Sequence, residues 1–85
     1  MIRDTSLLAF MEVRKELGKK QKEVYKVISL NPQGLCNREI AKILGWEINS
    51  ITPRVFELRE MGYLIDAGTK ECPYTGRKVH YWKVR

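Results

Sequence analysis

The sequence predicts a mainly helical domain closed at its C-terminal end by a small antiparallel β-hairpin. Three observations predict this. Apolar residues recur at helical spacing in successive stretches up to Gly62. Those stretches are punctuated by Gly18, by "NPQG" at 31–34, by Gly45 and by Gly62. Beyond Gly62 the pattern changes to two runs rich in aromatic and β-branched residues, separated by "PYTG".

Residues 5–17 are expected to form the first helix, with Thr5 or Ser6 as its cap and Leu7, Phe10, Met11 and Leu17 along one stripe. Gly18 ends or interrupts it. "KKQKEVYKVISL" reads as a second helix with Val24, Tyr25, Val27 and Ile28 on its apolar side. "CNREIAKILG" is a short helix. Asn37 suits its cap; alternatively Cys36 takes the Ser/Thr place of a capping box, with Glu39 three residues on. Ile40, Ala41, Ile43 and Leu44 supply its apolar face, and Gly45 closes it. "NSITPRVFELREMG" starts another helix, in which Ile51, Val55 and Leu58 follow the i, i+4, i+7 pattern of a buried face. Proline belongs in a first helical turn, so Pro53 makes Asn49 or Ser50 the expected cap.

"YLIDAGTKE" and "KVHYWKV" are expected strands, and "PYTG" is their loop. In the second strand His80, Trp82 and Val84 share one face, while Val79, Tyr81 and Lys83 share the other. The Trp82 face is assigned to the core. Two short helices joined by a few residues make a helix-turn-helix, and a hairpin directly after the second makes it winged. The chain is expected to be one winged-helix domain over residues 1–85, with residues 5–17 as an additional N-terminal helix, because 85 residues leave no room for a second core.

Composition narrows the function classes. The net charge of +6 favours an anionic partner such as nucleic acid. The charge is uneven: residues 36–62 carry four cations against four anions, so the excess lies at the two ends. The longest apolar stretch, Leu7–Met11, is far too short to span a membrane, and charged residues follow it too soon for a secretory signal. Cys36 and Cys72 are too few for a disulfide framework, and free thiols in a reducing cytoplasm are the simpler expectation.

"REIAKILGWEINSITPRVFELREMGYL" resembles the core of a winged helix-turn-helix domain. It has an Ile-Ala pair in one helix, a Leu-Gly turn, an apolar-x-x-x-apolar-x-x-Leu helix, then Met-Gly and an apolar pair. The chain further resembles a small winged-helix group of bacteriophages and prophages, with a leading "S-x-x-A" helix and a "C-x-x-T-G-R" wing tip followed by tryptophan. The resemblance implies sequence-specific binding of double-stranded DNA and a role as a phage or prophage transcriptional regulator. It would place Asn49, Ser50, Thr52, Pro53 and Arg54 in the major groove. Lys70, Arg77 and Lys78 flank the hairpin tip and would hold the phosphate backbone.

Other readings are weighed against this one. Pro53, Phe56, Glu57 and the N-terminal helix could instead form a protein-interaction face, and the stripe Leu7, Phe10 and Met11 could pair two copies as a homodimer. The basic run of residues 14–22 offers further phosphate contacts. Cys72 and His80 lack the second close pair that structural zinc requires, so no metal and no cofactor are expected. One histidine, no Gly-rich phosphate loop and no carboxylate cluster argue against an enzyme.

Overall fold

A computed structural model gives the fold, and it describes residues 17–85. The expected helix at 5–17, its apolar stripe and the dimer contact through it lie outside the described residues except for Leu17, which is buried. The described residues form three helices and a two-stranded antiparallel hairpin.

Helix α1 spans Lys19–Ser29. Gly18 caps it, and the Gly18 N–H donates to Oε1 of Gln21 at 2.9 Å. Val24, Tyr25, Val27 and Ile28 are buried, as their spacing requires. Asn31 stops the helix by donating its side-chain amide to the Val27 carbonyl at 2.8 Å. The turn that follows needs Gly34, whose φ is +97° and whose missing Cβ would lie 2.5 Å from the Tyr81 ring.

Helix α2 spans Asn37–Leu44, and the cap is Cys36 rather than Asn37. The Cys36 N–H donates to Oε1 of Glu39 at 2.9 Å, the reciprocal half of a capping box. Ile40 and Ala41 are buried and Leu44 packs on the core. Ile43 departs from expectation and is 54% exposed. At 100° per residue, an eight-residue helix that buries 40, 41 and 44 turns 43 away from them. Gly45 closes the helix with φ +70°.

Helix α3 spans Ile48–Glu60, and here the expected cap is wrong. Glu47, not Asn49 or Ser50, precedes the first turn, and the Ser50 N–H donates to the Glu47 carbonyl at 2.9 Å. Pro53 therefore lies inside the helix, in its second turn. It has no N–H for the Asn49 carbonyl. Burial of Ile51, Val55 and Leu58 outweighs the lost bond, and Pro53 and Asn49 both face solvent.

Strands β1 (Leu64–Glu71) and β2 (Lys78–Val84) pair with Leu64 opposite Val84, Asp66 opposite Trp82 and Glu71 opposite Lys78. A bulge between Asp66 and Thr69 shifts the register by one, with Gly68 at φ +117°. Leu35 bridges the other edge of β2, exchanging two backbone bonds with Trp82 at 3.0 and 2.8 Å. Trp82 turns inward and Val84 packs against the core, as expected, but His80 on the same face is exposed. Trp82 joins Val24, Ile28, Ile40, Ile51, Val55, Leu58 and Leu64 in one core cluster. Among the described residues, no helix is long and apolar enough to cross a membrane.

Candidate functional site

An open cleft of about 840 Å³ lies between the hairpin and the beginnings of α2 and α3. Asn37, Arg38, Ile48, Arg77, Lys78 and Trp82 line it. A chain of hydrogen bonds sets its shape. Trp82 Nε1 donates to Oδ1 of Asn37 at 2.7 Å, Asn37 Nδ2 donates to Oγ1 of Thr52 at 3.5 Å, and the Thr52 hydroxyl donates to the Ile48 carbonyl at 3.2 Å. Hairpin, α2 and α3 are thereby fixed to one another at the cleft wall. The Arg59 guanidinium stacks over the Trp82 ring at 4.6 Å.

Four cations border this region. Arg38 and Lys42 lie one turn apart on the outward side of α2, and Arg77 and Lys78 project from the hairpin end. The Lys42 ammonium is 5.2 Å from the centre of the Tyr74 ring, which brings α2 beside the hairpin loop. None of the four is in an ion pair among the described residues. Glu71, opposite Lys78 in register, offsets part of the charge.

The residues singled out from the sequence do not gather at one place. Arg77 and Lys78 line the cleft. Thr52 is joined to it through Asn37, and Asn49 lies exposed on α3 one turn before Thr52 and Pro53. Ser50 and Arg54 lie toward α1 instead. Ser50 borders a smaller hollow with Lys19, Lys20 and Trp46. Arg54 holds Glu57 in a fork, Nε to Oε1 at 2.8 Å and Nη2 to Oε2 at 2.9 Å. Gln21 also donates to Glu57 Oε1 at 2.8 Å. The Gln21 and Arg54 hydrogen bonds hold the Glu57 carboxyl below its usual range. Lys70 reaches back to α2, with Nζ 2.7 Å from Oε1 of Glu39 and 5.5 Å from the centre of the Tyr81 ring.

Glu39 is thus held by two elements. Burial raises its pKa, but the Lys70 ammonium and the Cys36 N–H outweigh burial and hold the carboxyl below 4.5. His80 Nδ1 is 2.9 Å from Oδ2 of Asp66, and its ring stacks on Trp82. Among the described residues, no three His, Cys, Asp or Glu side chains gather as a metal site would require.

Arg38 and Lys42 escaped the sequence reading because residues 36–62 sum to neutral charge. Their signal is positional. Both fall on the side of α2 turned away from Ile40 and Ala41, whereas Glu39 is drawn inward to the cap and Lys70.

No protein-family model matches the chain, and no curated protein matches it.

Proposed function

We propose that this chain is a winged helix-turn-helix domain that binds double-stranded DNA sequence-specifically, as a phage or prophage-type transcriptional regulator acting in the cytoplasm. In this reading α2 and α3 are the helix-turn-helix, the hairpin is the wing, and no residue is catalytic. One observation carries the reading: among the described residues, Arg38, Lys42, Arg77 and Lys78 stand without ion-pair partners beside the exposed start of α3. Phosphate attraction supplies much of the affinity of such proteins, and it requires cations that are not already neutralised. Asn49 and Thr52 are the side chains best placed to meet base edges beside that patch. Arg54 and Lys70 are committed to Glu57 and Glu39, and they contribute to DNA contact only by exchanging those partners.

A rival reading, a protein-interaction module without a DNA site, is favoured by Phe56. It is 57% exposed on the outward side of α3, near Pro53.

Fluorescence anisotropy with a mixed-sequence duplex at several salt concentrations tests the proposal. Affinity should fall steeply with salt, and each of Arg38→Ala, Lys42→Ala, Arg77→Ala and Lys78→Ala should shallow the slope by about one unit. After selection of a preferred sequence, Asn49→Ala should reduce discrimination by about 1–3 kcal/mol. Absence of binding to any duplex at low salt sinks the DNA reading and leaves the Phe56 face as the site to pursue.

A further inference from the structure

Cys36 and Cys72 have no part in the proposed DNA contacts. Both are free thiols, 1% and 2% exposed, and each lies close enough to shift the other's pKa. They come from distant parts of the chain. Cys36 caps α2, and Cys72 opens the hairpin loop, where its N–H donates to the Arg77 carbonyl at 2.8 Å and its carbonyl accepts from the Gly76 N–H at 2.8 Å. Both also border the cleft. The fold therefore brings together the two cysteines of the chain, the only partners available for a covalent cross-link.

The two sulfurs differ in their surroundings. The Thr75 hydroxyl and the N–H groups of Tyr74 and Thr75 lower the pKa of Cys72 and favour its thiolate. Cys36 is packed under the core beside the Glu39 carboxylate, which disfavours one. Cys72 is followed by the loop at 73–77, whose residues are all exposed, and it borders the open cleft, the side from which a small reagent would approach.

We propose that Cys36 and Cys72 are a thiol–disulfide couple, oxidised by small-molecule disulfides to a reversible cross-link between the cap of α2 and the hairpin loop. Cys72 is the attacking thiol. The Thr75 hydroxyl bond and the two loop N–H groups bring its pKa down from 9.0 to about 7, against the effect of burial. A thiol with a pKa near ambient pH is the most effective in exchange. Burial pushes the Cys36 thiol up, so it stays protonated and acts second.

The steps balance. The Cys72 thiolate attacks one sulfur of R–S–S–R. That S–S bond breaks, one thiolate leaves and takes a proton from solvent, and a mixed disulfide remains on Cys72. Cys36 releases its proton to solvent and attacks Cys72 Sγ. The mixed disulfide breaks and the second thiolate leaves. Two protein thiols lose two electrons, and one small disulfide is reduced to two thiols. The cross-link removes the thiolate on which the Tyr74 and Thr75 N–H groups converge, so the loop that carries Arg77 is the segment it rearranges.

The test is incubation of the folded protein with oxidised glutathione, followed by intact mass measurement and thiol counting after denaturation. Wild type should lose both thiols together and the mass of two hydrogens, keep no adduct, and recover both thiols with dithiothreitol. Cys36→Ser keeps a residue suited to a helix cap, and it should stop at a single glutathione adduct on Cys72. Cys72→Ser should keep its remaining thiol unmodified. A stable adduct on wild type, a disulfide-linked dimer, or two unreacted thiols while the urea-unfolded chain reacts would each overturn the proposal. The readout involves no DNA, so it stands or falls separately from the DNA reading.

Discussion

Replacing Trp82 with alanine removes the side chain that joins the hairpin to both neighbouring helices. Trp82 is 8% exposed, and truncating a buried tryptophan costs about 3–5 kcal/mol. Asn37 Oδ1 loses its donor, at about 1 kcal/mol, and Arg59 loses the ring beneath its guanidinium, at about 0.5–1 kcal/mol. These losses overlap, so about 4–6 kcal/mol is the working figure. Native domains hold about 0.05–0.15 kcal/mol per residue, which puts a chain of this length at about 4–13 kcal/mol in total. The variant should therefore lose about a third or more of its stability, and all of it at the lower end of that range. Urea unfolding followed by circular dichroism measures this, with Trp46 as the remaining fluorophore. Trp82→Phe separates the contributions: it keeps most of the packing and loses the N–H, so about 1–2 kcal/mol should disappear. If Trp82→Ala melts with a loss under about 1 kcal/mol, the ring is not part of the core and the hairpin register is wrong.

Other perturbations follow from single contacts. Pro53→Ala should stabilise the fold by about 1–3 kcal/mol, because it restores an N–H to the Asn49 carbonyl inside a helix; a lower melting temperature would refute this. Gly34→Ala should cost about 1–2 kcal/mol from its positive φ alone, and more from the Tyr81 ring 2.5 Å from the new Cβ; a thermal melt equal to wild type would show that the turn can be rebuilt. Glu39 has a carboxyl lowered below 4.5, so its stabilisation is complete above 4.5 and is lost as pH falls through the lower folded value. Acid unfolding should therefore occur at higher pH in Lys70→Met than in wild type, since Lys70 is part of what lowers that carboxyl; coincident acid transitions would mean that the ion pair is idle.

The elements were legible wherever periodicity and punctuation agreed. Ile51, Val55 and Leu58 read as a buried face because burial follows a 3.6-residue repeat, and they are 0–2% exposed. Trp82 read as inward because alternation along a strand leaves two choices, and the larger aromatic took the core. The start of α3 was misread. A general rule about proline in first turns was allowed to place the cap, while the packing of Ile51, Val55 and Leu58 tolerates Pro53 one turn later. Ile43 was misread because a short helix meets the core along a narrow stripe. The candidate site was the least legible part. Side-chain partners such as Arg54 with Glu57 and Lys70 with Glu39 depend on tertiary placement, and charge counts do not record which cations are already occupied.

The bridge between Leu35 and Trp82 bears on how the chain acquires its fold while it is being made. The Leu35 N–H and carbonyl both wait for Trp82, and so does Asn37, forty-five residues earlier than its partner. Synthesis runs from the N-terminus, so the three described helices leave the ribosome before the residue that closes them together. Until then the side of the core that Trp82 covers stays open, and the unfinished chain is a substrate for chaperones and proteases. A chain cut anywhere between Gly62 and Trp82 lacks the bonds that Trp82 makes to Leu35 and Asn37.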